Sequence, residues 1–482
     1  MSWKKSFLIL LTLSMLLSAM PVAAEEQDVY EQVKEMLAER HVSGIEEDEF
    51  QSNTIEGLLE EIGDPYSDYF TAKEWESFQN GIAQQYVGVG IRISQDDQGI
   101  YVVEVFEGSP AMEGGMLPGD YIVAVNETSM AGRTLEELTE RVMGLENTAV
   151  TLTVLRDGEE QELRMIRKPI TVPSVSGAWF EREAVGYIKV SSFSLNANLA
   201  FDQLMSQYEA GGMKALLLDL RDNPGGYLNT AKLLARHFID EGVLIHTRNR
   251  DQKDEPVRIV LGKQAQVPVY VLVNGGSASA SEVLAGALQD YGVAEVIGTQ
   301  TFGKGSVQQS YMLADGSVLK ITVEEYYTPN NHKVNQVGIT PDQEVYGTVS
   351  QLLVALRAAG ANELTMQIGH TGWSVNGVSF PERLRLIERD DKLFVQARTL
   401  AALAGVTIAW DGKNNEIVFG EDARFASGSE GVVMENNVNY VDVHTFEQQF
   451  PTFRWQQDGQ DLMLHYANQT EPSAPMEEDE AA

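Results

Sequence analysis

The chain has 482 residues, enough for about three domains at roughly 150 residues each. Lys and Arg number 35 against 71 Asp and Glu, a formal net charge of −36. That balance excludes the basic surface a nucleic-acid partner needs and disfavours electrostatic docking on anionic lipid. Cysteine is absent, so disulfide frameworks, thiol nucleophiles and Cys-ligated zinc are excluded.

In chain order, Lys4 and Lys5 precede a mostly apolar stretch, residues 7–20, shorter than the ~20 residues a spanning helix needs. Val22-Ala23-Ala24 then offers small residues for cleavage, so residues 1–24 read as a signal peptide rather than an uncleaved anchor. The working part is therefore expected outside the cytoplasm, secreted or associated with the cell envelope. Residues 25–84 form an N-terminal helical region. Val29, Val33, Met36 and Leu37, then Ile55, Leu58, Leu59 and Ile62, follow a helical period, and Asp64-Pro65-Tyr66-Ser67 breaks it with a turn.

Over residues 85–168 the period moves toward two. Strands are expected at 101–106, 121–125 and 149–155 and a helix at 135–143, which makes a small β-rich module. From 169 to 347 strands and helices alternate. The continuous apolar run Leu216-Leu217-Leu218 predicts a strand buried on both faces, as in an α/β layer. Residues 362–467 hold an internal repeat: the segment 394–400 recurs 46 positions later as 440–446, which suggests a compact duplicated α+β module. Residues 468–482, rich in Glu, Asp, Pro and Ala, read as a disordered acidic tail.

Four segments can carry catalysis or binding. Ser279 stands where a buried strand passes into a helix, beside unpaired backbone N–H groups and the positive end of the helix dipole. Such groups stabilise an oxyanion on an attacked carbonyl, although Ser279 with Glu282 three residues on also reads as a capping box. A serine nucleophile needs a base, and none of the seven histidines lies in a turn after a core strand with a companion Asp. Lys304, between Gly303 and Gly305 directly after a core strand, is the other option, against the plain alternative of a surface lysine. A lysine titrates near ~10.4 in water, so a working base must sit desolvated among apolar groups and away from Glu282. Asn223-Pro224-Gly225-Gly226 closes another core strand and exposes backbone amides, either for an oxyanion or as a simple turn. In the β-rich module, Val87, Gly88, Val89, Gly90 and Ile91 can present amides to a peptide's terminal carboxylate, the peptide adding as a strand to the sheet edge.

Together these segments resemble the carboxy-terminal processing peptidases, secreted tail-specific serine peptidases with an inserted PDZ domain. The resemblance rests on Asp64-Pro65-Tyr66-Ser67, Gly108-Ser109-Pro110-Ala111, Pro118-Gly119-Asp120 and the run from Asp219 to Gly226. It rests further on Ser277-Ala278-Ser279-Ala280-Ser281-Glu282, on Phe302-Gly303-Lys304-Gly305-Ser306-Val307-Gln308 and on Gly338-Ile339-Thr340-Pro341-Asp342. It implies a crotonase-like α/β peptidase core with an inserted PDZ domain, Ser279 as nucleophile, Lys304 as general base and Gln308 supporting the lysine. It also implies an oxyanion hole from the amides of Gly225 and Ala280, a substrate with an apolar C-terminal tail, no cofactor, and a homodimer through the N-terminal helices. The family's Arg-Gly pair after the second PDZ helix is Met143-Gly144 here, which bears on peptide-gated activation.

Residues 362–467 resemble the stalk module named after the N-terminal domain of copper amine oxidases, through Val375-Asn376-Gly377, Ala397-Arg398-Thr399-Leu400 and the run from Val406 to Gly412. No His or Cys cluster with ligand spacing accompanies it, so no metal is inferred; cell-wall association or a spacer role is implied. A catalytically silent peptide-binding scaffold of the cell envelope is the alternative function.

Overall fold

The computed structural model describes residues 22–467 except 83, 84, 97, 370, 371 and 460. The signal-peptide reading falls largely, and the acidic-tail reading wholly, outside the described residues. Among the described residues no helix is long and apolar enough to cross a membrane. The chain divides into two compact units: residues up to Gln79 with Ile245–Val257 and Gly305–Tyr327, and Asn80–Leu244 with Arg258–Lys304 and everything from Thr328 onward.

In the first unit the helical period becomes the helices Val22–Arg40 and Ile55–Ile62. Val29, Val33, Leu37 and Leu58 from those stripes bury together against Leu319 and Ile321 of the strand Val318–Tyr327. Gly63 ends the second helix in the left-handed region, where a residue without Cβ is unstrained. The turn that follows leads into the short strand Asp68–Phe70, which pairs antiparallel with Val318–Tyr327. The strand Ser306–Met312 pairs with the same partner.

The second unit holds three parts. Its first is a sheet in the order Ile91–Asp96, Gly99–Val105, Tyr121–Val125, Ala149–Arg156, Glu159–Ile166, with the helix Leu135–Val142 beside it. Alternating side chains from these strands close a separate apolar core around Val102, Ile122, Leu138 and Leu152. Its second is a six-stranded sheet ordered Val175–Phe180, Val185–Val190, Ala215–Asp219, Val269–Val273, Ala294–Gly298, Gln343–Glu344. All its neighbours after the first antiparallel pair run parallel. The run Leu216-Leu217-Leu218 is fully buried in the middle of this sheet, which explains its lack of polar alternation.

The third part shows what the sequence repeat builds. Each copy is a strand followed by a helix: Lys392–Gln396 with Ala397–Ala404, and Val438–Asp442 with Val443–Gln449. The two repeated strands pair antiparallel with each other, Val395 opposite Val441.

Candidate active site

Parallel strands release their chains at the same end of a sheet, so the turns after Asp219, Val273 and Gly298 gather there. Buried Arg221 fixes the first turn: its guanidinium pairs with Asp219 at 2.5 Å and donates to Thr348 O, at the start of the helix Thr348–Ala358. Asn223 is wholly buried and acts as the hub of that turn. Its Nδ2 donates to Val190 O at 2.7 Å, and its carbonyl accepts from Ala278 N at 3.0 Å and from the Ser281 hydroxyl at 2.9 Å.

The three serines of the Ser-Ala-Ser-Ala-Ser run, equivalent on paper, differ in space. Ser277 donates its hydroxyl to Leu220 O at 2.8 Å, Ser281 donates to Asn223 O, and both are fully buried. Ser279 is half-buried and sits at φ 54°, ψ −114°, immediately before the helix Ala280–Asp290. A non-glycine residue at positive φ is strained, and such strain gathers at functional turns, as in a strand-to-helix nucleophile elbow.

One carboxylate joins this turn to the lysine loop. Glu282 is fully buried. Its Oε2 accepts from Ser279 N at 2.9 Å and from Lys304 N at 2.9 Å. Its Oε1 accepts from Gly303 N at 2.7 Å and from the Thr301 hydroxyl at 2.6 Å. Burial pushes its carboxyl above the usual carboxylate range, against the lowering pull of those four donors. The expectation that Lys304 stands away from Glu282 is thus not met at the lysine's backbone; the loop must be anchored, and the buried carboxylate is what anchors it. Lys304 itself is half-buried.

Gly225 lies against the turn at Ser279. A methyl group there would stand 2.8 Å from Ala278 O and 2.9 Å from Ser279 Cβ, at a φ of 105°. Its N–H, expected to face an oxyanion, instead donates to Asn223 Oδ1 at 2.8 Å. The next amide is placed differently. Phe193 N donates to Gly225 O and Tyr227 N donates to Phe193 O, both at 2.8 Å, a parallel bridge between Phe193 and Gly226. In such a bridge the N–H of Gly226 turns away from Phe193. Phe193 follows the strand on one side of Ala215–Asp219 and Ser279 follows the strand on the other, with the Gly225-Gly226 turn between them. Ala280 opens the helix, where first-turn amides have no intrahelical acceptor. Gln308 belongs to the first unit, where its amide donates to Ser306 Oγ at 2.9 Å and to Thr322 Oγ1 at 3.2 Å.

Residues 184–345 match Peptidase family S41, and residues 87–166 match the PDZ domain. The chain thus holds one region similar to S41 peptidases and another similar to PDZ domains. It is 36% identical over 315 residues to a protein of Staphylococcus aureus (strain COL) described as "Probable CtpA-like serine protease", covering 65% of this chain and 63% of that one. A Staphylococcus epidermidis protein of the same description is 36% identical over 302 residues, covering 62% and 61%. The chain thus spans less than two thirds of the length of these curated relatives. A solved structure titled "Photosystem II D1 C-terminal processing protease" is 26% identical, covering 67% of this chain and 94% of that one at a TM-score of 0.47.

The PDZ domain's Gly-x-Gly segment leads straight into an open edge. Gln85–Gly88 pairs with Lys168–Thr171, the carbonyls of Val89 and Gly90 accept from Ala111 N and Phe106 N, and Ile91 opens the edge strand Ile91–Asp96. An edge strand is the geometry that peptide addition requires. At the Met143-Gly144 position, Gly144 N donates to Val87 O at 3.2 Å. An arginine does stand here, supplied from the junction between the strands Glu159–Ile166 and Lys168–Thr171: Arg167 Nε donates to Val142 O at 2.7 Å and its Nη2 to Arg141 O at 2.9 Å, over Gly144. Sequence reasoning flagged the turn Asn223–Gly226 and the spacing of Glu282 from Ser279, but missed Asn223 and Glu282 as the groups that organise the site, and missed Arg167 altogether.

Proposed function

We propose that this chain is a secreted or envelope-associated serine endopeptidase that holds an apolar C-terminal tail on its PDZ domain and cleaves with a Ser279–Lys304 dyad. The observation that carries the reading is the Glu282 carboxylate, one oxygen of which accepts the amides of both Ser279 and Lys304. The S41 match and the CtpA-like relatives support the coarser part of this reading, a serine peptidase.

In the proposed mechanism Lys304 Nζ, neutral, takes the Ser279 hydroxyl proton as Oγ bonds to the scissile carbonyl carbon. The oxyanion is held by the amide of Ala280 and a backbone amide of the Gly225-Gly226 turn that packs against it. As the C–N bond breaks, the lysine returns the proton to the leaving amine. Water, deprotonated by the same lysine, then releases the acyl group and restores Ser279. A homodimer through the N-terminal helices and cell-wall association through residues 362–467 belong to the same proposal.

The test incubates residues 25–482, unmodified and as Ser279→Ala and Lys304→Ala, with a loosely folded protein bearing an apolar C-terminus, products read by intact mass. Cleavage by the unmodified chain and its loss in both variants is expected. Cleavage that survives either substitution overturns the dyad. Tail binding without turnover in the unmodified chain favours the silent scaffold.

A further inference from the structure

Residues 362–467 are fused to the peptidase core. Phe180, Leu217, Leu272 and Leu352 lie in one continuous apolar cluster with Leu364, Leu400 and Phe453. The PDZ domain keeps a core of its own. A domain with its own core moves by default unless something holds it.

One side chain from the C-terminal module reaches the PDZ domain. Arg383 lies between the strands Val378–Phe380 and Ile387–Arg389. Its guanidinium stands 4.5 Å from the ring centre of Tyr101 and 4.9 Å from that of Tyr121. Its Nη1 pairs with Asp96 Oδ2 at 3.3 Å and donates to the Tyr121 hydroxyl, and its Nη2 reaches Gly119 O at 3.5 Å. Tyr121 in turn donates to Asp96 at 2.8 Å, and burial, with Asp96 adding to it, pushes the phenol up to about 12. Two aromatic faces and a carboxylate make a site that fits a planar cation better than an ammonium. The guanidinium Nε is buried with no hydrogen-bond partner among the described residues, which limits the grip and leaves the contact releasable.

Asp96 is the last residue of Ile91–Asp96, the strand to which a substrate tail would add. We propose that Arg383 latches the PDZ domain to the C-terminal module, and through it to the peptidase core, so that a tail bound on Ile91–Asp96 is held at a fixed place relative to Ser279. The C-terminal module is then a bracket for the substrate-binding domain. The catalytic consequence rests on the peptidase reading above: a fixed PDZ domain raises the effective concentration of the scissile bond at the serine.

The chain has no cysteine, so a labelled pair is free of background. Exposed Glu160 on the PDZ domain and exposed Glu421 on the C-terminal module, each changed to Cys in the full chain and spin-labelled, report their separation by pulsed electron–electron resonance. A narrow distance distribution is expected in the parent, a broad one in Arg383→Ala, and intermediate widths in Arg383→Lys and in Tyr121→Phe, which removes only the bridging hydroxyl. Melting curves establish that each variant is folded. A distribution unchanged by Arg383→Ala overturns the latch. In the catalytic arm, Arg383→Ala lowers kcat/KM for a tail-bearing substrate at least tenfold relative to a short ester without a tail. An equal effect on both substrates overturns the coupling. If no variant and no parent cleaves anything, the peptidase reading falls, while the distance measurement still decides the latch.

Discussion

At the scale of single residues the site depends on buried acceptors more than on the side chains that would react. Glu282 takes four hydrogen bonds and holds the Ser279 turn and the Lys304 loop by the same oxygen. Glu282→Gln keeps the shape but turns one of the two oxygens into an NH2 donor, which then faces N–H donors. A displacement of about 1 Å at a reacting group costs about 100-fold in rate. We therefore expect kcat to fall at least that far with KM for a tail-bearing peptide little changed; steady-state kinetics beside a melting curve measures both. A parallel fall in melting temperature that accounts for the lost activity would assign Glu282 to stability alone. Gly225→Ala is expected to remove turnover as well. Its methyl group would meet backbone at 2.8 Å and Ser279 Cβ at 2.9 Å, at a φ that costs a side chain about 1–3 kcal/mol. A variant with parental turnover and stability would show that the two turns do not touch in solution.

At the scale of elements, the turn between the helix Ile55–Ile62 and the strand Asp68–Phe70 is held by one carboxylate. Asp64 accepts from the Ser67 hydroxyl at 2.6 Å, from Tyr66 N at 3.1 Å and from His41 at 3.4 Å, and the Ser67 hydroxyl accepts from Thr322 N at 3.0 Å. Burial raises the Asp64 pKa, but hydrogen bonds from His41, Ser67, Thr322 and Tyr66 outweigh it and hold the carboxyl well below the usual range. A folded-state pKa below the unfolded ~3.9 means stability that is complete above about pH 4 and lost as pH falls through the folded value. Melting temperature in the parent should therefore drop below about pH 4, and Asp64→Asn should flatten that acid limb while costing about 1–3 kcal/mol at neutral pH. An unchanged acid limb would place the sensitivity elsewhere. This turn also marks the border of what sequence could tell. Leu58 and Leu37 announced their helices through period, and Leu216-Leu217-Leu218 announced a buried strand through composition. Asp68–Phe70 is three residues long and defined only by its partner 250 positions away, so no local pattern betrays it. For the same reason the hold of Arg167 over Gly144 and of Asn223 on Ser281 was invisible. Each acquires its place from a contact between segments separated in sequence. The segments around Ser279 and Lys304 drew notice through their joint, ordered resemblance to one family, because each taken alone also reads as a helix cap or a surface lysine.

At the scale of the molecule, the parts within the second unit depend on one another unequally. The helix Thr348–Ala358 places Leu352, Leu353 and Leu356 in an apolar cluster that runs without a break into Leu364, Ile368, Leu400 and Phe453. Ending the chain after Ala361 would bare that face, and exposed apolar area of this kind drives loss of fixed packing or association. The PDZ domain, by contrast, closes its own core. Its entry and exit are already neighbours, because Gly88 pairs with Lys168 across the short two-stranded ladder. Replacing residues 89–167 by an Asn-Gly turn joins two antiparallel strands at the spacing such a turn spans. We therefore expect the excised chain to keep a single cooperative melting transition and to lose tail-peptide affinity, and the chain ended after Ala361 to lose cooperative melting or to precipitate. Calorimetry on the two proteins decides the matter. A truncated chain that melts like the parent would mean that the apolar cluster is divisible and the C-terminal module an independent attachment, and the PDZ bracket argued from Arg383 would then have no rigid base.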